Sequence, residues 1–186
     1  MPESIGKACA RQLGAAIKSL VFILSSRDGL LRQTVRRSLV AIGAPAVGAL
    51  ASALRDSNQT VRWEAAKALG EIGSPEAAPA LVAALEDSDF GVRWLAAEGL
   101  IGLGREGMKH LLQALIEQRE SDWLREGAIH VLRSLVTRGL HDLASPVLAA
   151  LADAEPRVEV VNRAQAALDE IARAEREKPP VYMPPE

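Results

Sequence analysis

The chain has 186 residues, 48% of them apolar but only 3% aromatic, so its core must be assembled mainly from Ala, Leu, Val and Ile packed at close range. Lys and Arg number 22 against 24 Asp and Glu, a formal net charge of -2, which excludes the global positive field that draws proteins onto nucleic acid or an anionic membrane. The single Cys9 excludes an internal disulfide and suits a reducing compartment.

At the start of the chain, Lys7, Arg11 and Lys18 precede the apolar run Leu20-Val21-Phe22-Ile23-Leu24. A secretory leader has this polarity, but here the basic lead-in is long, the run is short, and it falls in the register of a repeat that follows. No apolar segment approaches the roughly 20 residues needed to span a bilayer. The expectation is a soluble, cytoplasmic protein.

The repeat appears when Leu31-Arg32, Val61-Arg62, Val92-Arg93 and Leu124-Arg125 are superposed, at steps of 30, 31 and 32 residues. A fifth copy begins near Val160 and continues through Ala164, Ala167, Leu168 and Ile171, and a half copy runs from about Ile5 to Gly14. Within the second copy, Val61, Ala65, Ala68, Leu69 and Ile72 form an apolar stripe at helical spacing, with Trp63, Glu64, Lys67 and Glu71 on the opposite arc. Gly73 suits a C′ position, Ser74 an N-cap and Pro75 a first helical turn, so the chain reverses into a second helix carrying Leu81 and Leu85. Gly43-Ala44-Pro45 repeats this punctuation. Each unit is a pair of antiparallel helices too small to bury its apolar face until neighbours stack on it.

These units resemble HEAT repeats, in particular the short, Ala-rich kind of the phycobilin lyase group. Pro79, Asp87 and Val92-Arg93 match the family pattern most fully, Asp56 with Val61-Arg62 lacks the Pro, and Pro146 with Asp153 is looser. The resemblance implies an all-α, right-handed α-α superhelix (α-solenoid) of about five HEAT-like helix pairs plus an N-terminal capping helix, spanning residues 1–177. First helices fall near 15–25, 45–55, 75–86, 106–117 and 142–152, and second helices near 31–42, 61–72, 92–103, 124–137 and 158–175. It further implies that the second helices line the concave side, and that the repeated Arg pairs with the turn Asp, Asp56 for Arg62 and Asp87 for Arg93.

On that layer the aromatic residues concentrate. Trp63 and Trp94 share one repeat position, and Phe90 and Trp123 stand at the start of their helices, which predicts one apolar patch across the central units. Lys67, Glu98, Glu126 and His130 supply a polar rim, an anatomy protein interfaces favour. His130 beside Glu98 or Glu126 has the chemistry of an acid or base, but no nucleophile accompanies it, and no His or Cys spacing suits a metal. The expectation is therefore a non-catalytic protein-interaction or scaffold module with no catalytic residues, metal or cofactor. The alternative is a phycobilin lyase-like, chromophore-handling accessory protein with a tetrapyrrole in the aromatic groove. Glu64, Glu71, Glu98 and Glu126 argue against nucleic acid as partner. The partner expected is a protein or peptide, with a homodimer through the N-terminal cap as a further possibility. Residues 178–186, rich in Pro and carrying Tyr182, are expected to be an extended tail or a ligand for an aromatic groove.

Overall fold

The computed structural model describes residues 2–117, 121–152 and 157–177. The terminal segment 178–186 and Asp153 lie outside them. The described chain is helical, in the order α1 (Pro2–Ile23), α2 (Gly29–Ile42), α3 (Ala44–Ala53), α4 (Gln59–Ile72), a 3-10 turn (Pro75–Ala77) leading into α5 (Ala78–Ala84), α6 (Phe90–Leu103), α7 (Arg105–Glu117), α8 (Asp122–Thr137), α9 (His141–Ala152) and α10 (Arg157–Glu177). The fold is an all-α solenoid.

Each second helix starts two residues before its Leu/Val-Arg pair, because its N-cap lies three residues before the apolar member. Asp28, Asn58, Asp89 and Ser121 each accept a backbone N–H of the first turn. Each unit ends on a glycine in the positive-φ region, such as Gly73 at φ 64°, where a side chain would be strained. The expected half copy at residues 5–14 and the first helix of the next unit are one continuous helix, α1, unbroken at Gly14.

Two layers follow from these turns. Helices α1, α3, α5 and α7 lie side by side, and α2, α4, α6 and α8 form the second layer. Small residues permit the close stacking: Ala65, Ala66, Ala68, Ala96, Ala97 and Ala128 are buried among Leu39, Leu69, Leu100 and Leu132. At the N-terminal edge, Ile17 and Leu24 are buried while Phe22, Leu30 and Leu31 face outward.

The far end departs from the expected register. Helix α10 was expected to follow α8 in the second layer; instead it packs on α7 and α9, while α9 packs on α8. Helices α7 to α10 thus close a ring, tied by an ion pair from Lys109 of α7 to Glu175 of α10, 2.9 Å apart. Gly107, in the first turn of α7, lets that helix approach α6 closely, since a Cβ there would collide with the carbonyl oxygen of Leu100. In this arrangement Val160, Ala164, Ala167 and Ile171 of α10 are buried.

Candidate partner-binding groove

The repeated arginines hold the second layer together. In each of three units the guanidinium reaches back to a turn carbonyl six residues earlier: Arg32 to Ser26 at 2.7 Å, Arg62 to Asp56 at 3.0 Å and Arg93 to Asp87 at 2.7 Å. The other side of the guanidinium reaches forward to the next unit. Arg32 donates from Nε to Glu64 at 3.3 Å, and Arg62 grips both oxygens of Asp87 at 2.7 and 3.1 Å. Asp87 raises the Arg62 pKa above its ordinary value, first through this hydrogen bond, with desolvation opposing.

The expected pairing of Asp56 with Arg62 and Asp87 with Arg93 therefore shifts. Each turn gives its own arginine a backbone carbonyl, and the Asp87 carboxylate serves the arginine of the unit before. Glu64 also departs from the outward position expected of it. It is 6% exposed and bonds Arg36 at 3.0 Å as well as Arg32; Arg36 in turn reaches Glu71.

Arg93 breaks the forward pattern. Its guanidinium lies 4.8 Å from the Trp123 ring centroid and 5.7 Å from that of Phe90, a pair of cation-π contacts, and no carboxylate among the described residues bonds it. Phe90, Arg93, Trp94 and Ala97 share one face of α6; Trp123, Glu126, Gly127 and His130 share the facing side of α8 at the same spacing. Between them opens a groove of about 240 Å³ floored by Leu85.

Gly127 opens that groove. It occupies the repeat position held by Leu95 one unit earlier and Glu64 two units earlier, and leaves room for the Leu85 methyls, which lie 3.0 and 3.3 Å from where a Cβ would stand. Phe90, Trp94 and Trp123 remain 61%, 47% and 43% exposed. Trp94 stacks on His130 with centroids 4.6 Å apart, and His130 Nε2 lies 3.0 Å from Glu98. The imidazole is thus held on two sides. Glu126 stands exposed on the rim.

Of the eight residues singled out in the sequence, Phe90, Trp94, Trp123, Glu126 and His130 line the groove, and Glu98 joins it through His130. Trp63 is half-buried against the core with its indole against Gly91, and Lys67 lies 4.9 Å over its ring. This second aromatic site flanks the groove without lining it. Sequence reasoning assigned Arg93 to a structural pair with Asp87 and missed Gly127. Column comparison between units carried the signal for Gly127, a glycine where neighbouring units have Leu and Glu.

Stacked helix pairs in two layers, with side chains of equivalent register meeting between units, define a helical-repeat scaffold. A family model described as HEAT repeats matches residues 17–101 and again 79–169, and the chain belongs to that family. Among solved structures, an engineered protein from a structural-genomics series is 23% identical over 86% of this chain and 80% of its own, with a TM-score of 0.42. A designed armadillo repeat protein is 19% identical over 82% of this chain and 98% of its own, with a TM-score of 0.39. No curated protein matches. Among the described residues, no helix is long and apolar enough to cross a membrane.

Proposed function

We propose that this HEAT-repeat scaffold binds a segment of a partner protein in the groove between α6 and α8, with Phe90, Trp94 and Trp123 as its anchors. The observation that carries this reading is the clustering of three exposed aromatic side chains around an open, apolar-floored groove in a chain with only three Trp and two Phe. Glu98, Glu126 and His130 supply a polar rim, and Trp63 with Lys67 extends the surface toward α4. The reading takes this surface as the concave side, the side that the resemblance to HEAT repeats implies for second helices.

The role is recognition without chemistry. Among the described residues, the groove lining contains no Ser, Thr, Cys or Lys to act as a nucleophile, and the His130 ring is engaged by Glu98 and Trp94. A displayed library of random 12-residue peptides, panned on the full chain, tests the reading. Enriched peptides that lose about 30-fold in affinity, roughly 2 kcal/mol, with Trp94→Ala support it. Enriched peptides that bind Trp94→Ala and Trp123→Ala as well as the parent move the working surface elsewhere.

A further inference from the structure

We infer that the segment received by this groove carries a carboxylate, an Asp or Glu beside an apolar or aromatic residue, and that Arg93 is the group that takes it. The inference rests on the groove being the binding site and names the chemistry of its ligand.

The repeat itself supplies the comparison. In the first two units the arginine meets a carboxylate across the unit boundary, Glu64 for Arg32 and Asp87 for Arg62. In the third unit Arg93 keeps the backward bond to the Asp87 carbonyl, but its Nε and Nη2, the atoms Arg62 gives to Asp87, have no acid among the described residues. At the corresponding boundary stand the Trp123 ring and the open groove. The internal site at Arg62 therefore shows the partner that Arg93 does not have among the described residues.

The surroundings favour that occupant. Arg93 is half-buried, permanently charged, and covered by Trp123 and Phe90, so aromatic rings rather than water meet part of its guanidinium. A planar carboxylate matches the guanidinium edge in the bidentate form already used by Arg62. The negative groups nearby do not fill this role. Glu98 is held by His130, and Glu126 stands in water on the rim, where its attraction for a basic ligand is screened. The apolar floor at Leu85 and the flank of Trp94 receive the neighbouring side chain.

Peptides enriched on the full chain are synthesised with a fluorescein label, as pairs differing by Asp→Asn or Glu→Gln at the enriched acidic position, and measured by fluorescence anisotropy. The expected result is an acid at a fixed offset from an apolar residue. The amide peptide then binds the parent protein about tenfold more weakly, a discrimination that shrinks to under about twofold in Arg93→Gln. Thermal melts check that Arg93→Gln folds. Trp94-dependent peptides without an acid, or with a basic residue in its place, overturn the carboxylate while leaving the groove intact. Enrichment of sequences resembling residues 178–186, which include Tyr182 and Glu186, assigns the groove to this chain's own segment and overturns an external partner. Absence of any Trp94-dependent peptide removes the groove reading as well.

Discussion

Arg93 rests its guanidinium 4.8 Å over the Trp123 ring, at the repeat boundary equivalent to the one where Arg62 grips Asp87. One position in the repeat thus serves cohesion in one unit and an open surface in the next. Placing a carboxylate at that boundary should convert the second use into the first. Trp123→Glu adds an acid in the first turn of α8, where the helix N-terminus also favours it. The expected outcome is a melting temperature held or raised by a few degrees and loss of peptide binding, read by calorimetry and anisotropy.

The forward Arg pair is a joint between units, so its loss should be felt as interface energy. Arg62 and Asp87 are both shielded, at 14% and 8% side-chain exposure, and removing one partner strands the other. Arg62→Ala should lower unfolding free energy by about 2 kcal/mol in urea denaturation. Arg62→Lys should recover only part of it, because an ammonium cannot reproduce the two-pronged contact.

The two glutamates bonded to Arg36 should behave differently. Glu64 is buried and shared by Arg32 and Arg36, whereas Glu71 is 37% exposed. Glu64→Ala leaves two guanidinium groups short of their shared partner and should cost about 3 kcal/mol. Glu71→Ala should cost less than about 1 kcal/mol, since water replaces the lost carboxylate. Urea melts of both variants make the comparison.

Two glycines of α6 give a matched test of packing. A Cβ on Gly99 would stand 2.9 Å from Leu81 Cδ1 and 3.4 Å from the Gly70 backbone of α4; one on Gly102 would meet nothing within 4 Å. Gly99→Ala should destabilise by about 1–3 kcal/mol through forced separation of α4 and α6. Gly102→Ala should stabilise by about 0.5 kcal/mol through helix propensity.

The repeat, the helix pairs and the turn glycines were legible because steps of 31 and 32 residues superpose Val61, Val92 and Leu124 at buried sites. Second-helix starts were placed two residues late because the caps Asp28, Asn58, Asp89 and Ser121 read equally well as turn residues. The exchange of layers at α10 was hidden, since Val160, Ala164, Ala167 and Ile171 satisfy the repeat pattern whichever helix they face. At the groove, Phe90, Trp94 and Trp123 were found by column position. The pairing of arginines was not, because a local sequence interval does not distinguish an acid in the same turn from one reached across a unit boundary.

The central claim is that the groove between α6 and α8 is where a partner segment sits, and the three tryptophans offer a site-resolved measurement. Indole N–H resonances of the 15N-labelled chain, assigned with single Trp→Phe variants, are followed while an enriched peptide is titrated to saturation. The account predicts that the Trp94 and Trp123 indoles shift most and the half-buried Trp63 indole less. Saturation of binding with the Trp94 and Trp123 signals unmoved would contradict it.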